Sequence, residues 1–192
     1  MSATQPIRNL EQLEELKNYY LKVQPDLRNY TLIHTGINTA LRIGDILSLR
    51  WQDVYHFSGQ AVRTHITLVE QKTGKHTSIA INQTLRNTLL AYFQSLKAPT
   101  PNDYLFPGKN STNHLSRSQA FRIIKQAGNN LQQPETISCH SLRKTFGYHA
   151  WNAGTSPALL MVIYNHSSFA ITKRYLGIEQ EDKDKVFLNL NL

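Results

Sequence analysis

The residues best suited to chemistry are His140-Ser141-Leu142-Arg143, then His166 and Tyr175, with Arg42 and Lys72 upstream. Arginine offers a planar fork that grips two phosphate oxygens at once, so Arg42 and Arg143 acting together would steady a crowded, five-coordinate phosphorus. His140 and Arg143 fall on one helical face near a helix start, where backbone N–H groups also favour an anion. Tyr175 stands in Lys173-Arg174-Tyr175 and is, by position, the one nucleophile candidate among nine tyrosines. Neighbouring cations favour its phenolate over a free pKa of about 10. The set supplies what transfer of a DNA phosphodiester to a protein tyrosine needs. Lys72 on a hairpin turn, with Lys75 as its rival, would protonate the leaving 5′-oxygen as general acid. The phosphotyrosine would conserve the energy of the broken bond, so rejoining would need no ATP, metal or other cofactor.

The charge distribution agrees with a polyanionic partner. The 192 residues carry a net charge of +8, with a sequence pI near 9.6. Residues 104–178 hold eight basic side chains against one acid, Glu135, whereas residues 179–192 are net acidic. Lys109, Arg117, Arg122, Lys125, Lys144, Lys173 and Arg174 in that basic block, with Lys75, are therefore candidate contacts to double-stranded DNA. The single Cys139 excludes an internal disulfide and a paired-cysteine zinc site. With no signal segment and no run of membrane-spanning length, the reading is a cytoplasmic, nucleoid-associated bacterial protein with no membrane partner.

The elements that must position these groups are mostly helices. Asn9 caps a helix through Leu10, Leu13, Leu16 and Tyr20, and a second covers Leu27 to about Asn38. A short third helix through Ile43, Ile46 and Leu47 starts at Arg42. Val62 to Val69 and His76 to Ile81 alternate as strands around a turn containing Gly74. Further helices follow from Asn82, from the Ser116/Gln119 capping box, from His140 to Gly154, from Ser156-Pro157, and from Ser168, the last presenting Tyr175.

The order Arg42, Lys72, His140-x-x-Arg143, His166, Tyr175 resembles the catalytic domain of the tyrosine recombinases, the phage-integrase family. The local sequences Leu41-Arg42-Ile43-Gly44-Asp45-Ile46-Leu47-Ser48-Leu49 and His166-Ser167-Ser168 through Arg174-Tyr175 match it too. The resemblance implies an α+β fold, mostly α-helical, with a small antiparallel sheet. It implies a site-specific recombinase of integrase or invertase type, working through a 3′-phosphotyrosine and a Holliday junction. In that family Asp45 supports the site, His166 contacts the scissile phosphate and His140 assists proton transfer. The implied assembly is a homo-tetramer on paired DNA sites, monomeric in free solution, with accessory DNA-bending proteins as further partners. The chain departs from the pattern at Tyr164-Asn165, where the family usually has Leu-Gly, and at Lys144, where histidine is common.

Residues 1–178 are read as the catalytic domain, without an N-terminal DNA-clamping domain, as in an isolated domain or a short recombinase like the fimbrial phase-switch invertases. Residues 179–192 are read as a tail whose Val186, Phe187, Leu188 and Leu190 dock on a neighbouring subunit or cap this one. Two alternatives keep the fold: a non-catalytic DNA-binding regulator, and a relaxing enzyme like the type IB topoisomerases. Other chemistries fit poorly, because Asp103 stands where a Walker loop needs glycine and the histidines lack metal-ligand spacing. Arg143→Lys is expected to lose most cleavage while folding survives.

Overall fold

The computed structural model describes residues 4–109, 112–132, 134–176, 178 and 180–190, without the side chains of Glu135, Arg174, Glu181 and Lys185. Six of the described helices start where a side-chain oxygen satisfies a first-turn amide. Asn9 accepts from Gln12 N at 3.0 Å to open α1 (Leu10–Lys22), and Asp26 accepts from Asn29 N at 2.9 Å to open α2 (Leu27–Thr39). After α3 (Ile43–Ser48) and α4 (Trp51–Val54), Asn82 opens α5 (Gln83–Gln94). The reciprocal Ser116/Gln119 box opens α6 (Arg117–Ala127). Ser138 opens α7 (Cys139–Asn152), one turn after a 3-10 turn at Pro134–Thr136. Ser156 with Pro157 at the first position opens α8 (Pro157–Ile163), and α9 (Phe169–Leu176) carries Tyr175. The tail forms α10 (Gln180–Asn189), which the sequence reading had not assigned to a helix.

The first strand expected from Val62 to Val69 is two strands. Ala61–Val62 (β2) pairs with Tyr55–His56 (β1), while His65–Val69 (β3) pairs antiparallel with His76–Ala80 (β4). The break lies at Arg63 and Thr64: Arg63 N turns to Val54 O at 2.8 Å, and Thr64 O accepts from Ile81 N at 2.8 Å. In the β3–β4 hairpin Leu68 faces Thr77 and Val69 faces His76, and Gly74 closes the turn at φ +67, a left-handed value that suits glycine.

Helix α2 sits at the centre, packed against α1, α5 and α7. Its Leu32 enters a core with Ile46, Leu47, Trp51, Ile66, Leu85 and Phe106, while its Ile33 enters another with Leu16, Tyr20, Ile124 and Leu142. A third, smaller cluster of Ala40, Leu160, Tyr164 and Leu176 binds α8 and α9 to the rest. Arg42 and Lys72 thus project from elements anchored in the first of these cores, and Tyr175 from one anchored in the third.

His34 on α2 is buried beneath α1 with its ring 4.2 Å from that of Tyr30, and neither ring nitrogen has a hydrogen-bond partner. Burial, helped by the Lys17 charge, holds its pKa down to about 4. The unfolded imidazole protonates near 6.5 and the folded one does not, so this contribution to stability is complete above about pH 6.5 and is lost as pH falls toward 4. It amounts to roughly 3 kcal/mol. His34→Leu is expected to remove much of the slope between denaturation midpoints measured at neutral and acid pH. An unchanged slope would assign it to other groups.

Candidate active site

Arg42 is the residue before α3, with extended backbone. Its Nη1 donates to Glu70 Oε2 at 2.5 Å, and Glu70 is 2% exposed. Asp45, one turn into α3 and buried, accepts from Gln71 N at 2.8 Å through Oδ1. These two acids moor the end of the β3–β4 hairpin to α3, which brings Lys72 beside Arg42. Gly44 gives room for a third cation, since a Cβ there would lie 2.8 Å from Arg117 Nη2.

Arg143 sits deeper than the sequence suggested. It is 2% exposed, its Nη1 donates to Ala40 O, and its Nη2 donates to Tyr164 O at 2.9 Å. Its Nε is buried without a partner. Tyr164 returns the contact by donating from its hydroxyl to Arg143 O at 2.7 Å, with its ring 4.6 Å from the guanidinium carbon. Gly147 is required beside it, because a Cβ there would meet the Tyr164 hydroxyl at 2.1 Å. The backbone donors at the start of α7 are in part occupied: His140 N donates to Ser138 Oγ at 3.2 Å.

One cleft of about 860 Å³ is lined by Arg42, Lys72, Arg117, His140, His166 and Tyr175. Five of the six residues expected to do chemistry therefore meet at one surface, and Arg143 lies in the wall behind, 5.8 Å from the Tyr175 ring. The Tyr175 ring is also 4.7 Å from that of His166 and 5.3 Å from that of Tyr164. The cations seen at the ring are Arg143 and Lys144 from α7, the latter at 5.9 Å; Lys173 is exposed and the Arg174 side chain lies outside the described residues.

Burial, then the charges of Arg143, Arg42 and Lys72, holds His166 down to about 4. Partial desolvation and the charges of Arg143, Lys144, Arg42 and Lys72 lower His140 as well. Both imidazoles are thus set toward the neutral form, able to accept a proton on one nitrogen and donate from the other. His166 Nδ1 lies 3.0 Å from Thr172 Oγ1, an orienting contact that carried no sequence signal.

The remaining candidates fall into two groups. Lys75, Lys109, Arg117, Arg122 and Lys173 are exposed. Lys125 and Lys144 each spend their ammonium group on a backbone carbonyl, of Pro134 and Thr4 respectively. Lys72 lines the cleft and Lys75 does not. A second hollow, about 780 Å³ between α1 and the end of α6, is lined by Glu11, Glu14 and Glu15 and would repel phosphate. Among the described residues no helix is long and apolar enough to cross a membrane, and no three His, Cys, Asp or Glu side chains are grouped to hold a metal ion.

The fold and this cleft define a tyrosine recombinase catalytic domain, and comparison with known proteins agrees. A model of the phage integrase family matches residues 9–182, and the chain belongs to that family of site-specific recombinases. It is 40% identical over 181 residues to the probable integrase/recombinase YoeC of Bacillus subtilis (strain 168), a match covering 94% of this chain and 93% of that one. Tyrosine recombinase XerD of Rickettsia bellii (strain RML369-C) is 25% identical over 195 residues, covering 95% of this chain and 63% of the relative. Among solved structures, XerA recombinase superposes with a TM-score of 0.78 at 20% identity, over 98% of this chain and 66% of that one. XerH site-specific recombinase bound to its difH substrate gives 0.67 at 20% identity, over 97% and 55%. The chain thus spans nearly all of the B. subtilis relative but only about half to two thirds of the others.

Proposed function

We propose that this chain cleaves and rejoins double-stranded DNA by transferring a phosphodiester to Tyr175. The observation that carries this reading is the single cleft in which Arg42, Lys72, His140, His166 and Tyr175 meet, with the Arg143 guanidinium behind it. The Tyr175 oxygen attacks phosphorus, the bond to the 5′-oxygen breaks, and a 3′-phosphotyrosine forms. The phenolic proton passes to His140, and Lys72 gives a proton to the departing oxygen. Arg42 and Arg143 bind the non-bridging oxygens, and Arg143 keeps one buried donor, Nε, without a partner. With the Thr172 hydroxyl, 3.0 Å away, donating to His166 Nδ1 in the Nε2–H tautomer, Nε2–H is a further donor to phosphate. Rejoining reverses each step, so protons and bonds balance without ATP.

The supporting experiment is incubation with nicked suicide duplexes from the flanks of its own gene, followed by a denaturing gel and mass spectrometry. An adduct on Tyr175 supports the reading. Tight DNA binding with no adduct would favour a non-catalytic regulator of the same fold, and relaxation of supercoiled DNA without a specific site would favour the topoisomerase-like alternative. Double-stranded DNA as partner also predicts a steep salt response. If the exposed cations neutralise about four phosphates, affinity should fall roughly a hundredfold between about 50 and 200 mM salt. A flat response would remove that surface from the reading.

A tetramer on paired sites belongs to the same proposal, with the tail as its connector. Asp182 is buried and lies 3.9 Å from Arg8, so α10 touches its own N-terminal segment, yet Val186, Phe187, Leu188 and Leu190 are all more than half exposed. That apolar end suits docking on a neighbouring subunit better than capping its own.

A further inference from the structure

We propose that Asn165 is a positioning residue that, through the buried Glu70 carboxylate, ties the Lys72 hairpin to the corner carrying His166 and so sets the geometry of the cleft. This rests on the reading of the cleft as a strand-transfer site. Asn165 has φ +52, between Tyr164 at the end of α8 and His166. Left-handed backbone is unfavourable for a side-chain-bearing residue relative to glycine, although asparagine tolerates it best. The side chain kept at that position is put to use. Its Nδ2 donates to Glu70 Oε1 at 2.7 Å, with Thr77 Oγ1 at 3.4 Å.

Glu70 in turn collects donors from four of the segments around the cleft. Arg42 donates at 2.5 Å from the start of α3, Thr73 at 2.9 Å from the hairpin turn, Thr77 at 3.5 Å from β4, and Asn165 from the α8–α9 corner. A buried carboxylate is costly unless its oxygens are filled, and here both are. Burial by itself pushes the Glu70 carboxyl up, but the bonds from Asn165, Thr73 and Arg42 and the Arg42 charge bring it below the usual carboxylate value. It therefore stays ionised and purely an acceptor. Lys72 lies two residues beyond Glu70, and His166 directly follows Asn165. One hydrogen bond thus spans the two halves of the cleft.

Two substitutions separate positioning from mere satisfaction of a buried acid. Asn165→Gly relaxes the left-handed backbone while removing the tether, so the denaturation midpoint should fall only slightly, the relieved backbone strain offsetting part of the lost hydrogen bond. A hydrogen bond to a charged group is worth enough that cleavage of nicked duplexes from the gene's flanks should slow about tenfold, and amide exchange over residues 70–77 should quicken by a similar factor. Asn165→Asp keeps the size but sets a second carboxyl against Glu70, among Arg42 from α3, Lys72 on the turn and His166 at the corner. Two adjacent carboxyls share a proton, so its cleavage should be lost near about pH 8 and regained toward about pH 6, a shift absent from wild type and from Asn165→Gly. Wild-type cleavage or unchanged hairpin exchange in Asn165→Gly would overturn the tether, as would an unshifted pH profile in Asn165→Asp. If the wild-type protein forms no adduct on Tyr175, the strand-transfer reading fails, and the exchange measurement still decides whether the tether exists.

Discussion

Tyr175→Phe is expected to abolish the covalent protein–DNA adduct, lowering cleavage by at least about a thousandfold, the scale of losing a catalytic nucleophile. Binding and stability should stay near wild type. Phenylalanine keeps the ring contacts to His166 at 4.7 Å and Tyr164 at 5.3 Å, and the residue is only half-buried, so little packing is lost. Among the described residues no other tyrosine lines the cleft. Tyr164 is the nearest other phenol, but it is fully buried, its hydroxyl is committed to Arg143 O at 2.7 Å, and burial pushes its pKa far up. The check is the suicide-duplex assay with mass spectrometry of the adduct. Residual adduct in Tyr175→Phe, mapped to Tyr164 or elsewhere, would show that the cleft has been assigned to the wrong tyrosine.

Much of the scaffold was legible because its signals are local. Asn9, Asn82, Ser116 and Ser156 are capping residues whose capping hydrogen bonds lie within three residues of themselves, so sequence alone can place them. The alternation of β3 and the glycine of the hairpin turn are equally short-range. What escaped is long-range. The strand break at Arg63 and Thr64 depends on partners at Val54 and Ile81, and nothing in the alternating pattern marks it. Glu70 ends a strand as an ordinary acid would, and only the fold brings Arg42 and Asn165 to it from distant segments. Lys125 and Lys144 look like free surface cations in sequence and are tied to carbonyls of Pro134 and Thr4. His140 and Arg143 are three apart on α7 as their spacing suggests, but spacing cannot tell depth: His140 is exposed at the cleft and Arg143 is buried behind it.

That difference in depth changes what Arg143→Lys should do. From sequence, the substitution is expected to cost cleavage alone, since an ammonium cannot reproduce a two-point grip on phosphate. In the fold the same guanidinium also bridges Ala40 O, at the left-handed end of α2 (φ 56), and Tyr164 O, at the end of α8. A lysine ammonium is a single point that cannot serve both carbonyls in the guanidinium's geometry, so one would be left buried without a donor. Losing a hydrogen bond from a charged group to a buried acceptor costs roughly 2 kcal/mol, so a lowered denaturation midpoint should accompany a fall in cleavage of at least about a hundredfold. The two effects separate in a single-turnover assay run well below the variant's unfolding transition, where all molecules are folded and any remaining deficit belongs to the chemistry. Wild-type cleavage under those conditions would remove Arg143 from phosphate binding and leave it as a structural bridge. An undiminished midpoint with lost cleavage would mean that the Ala40 and Tyr164 carbonyls have another donor, and that the arginine is held in the wall for the phosphate alone.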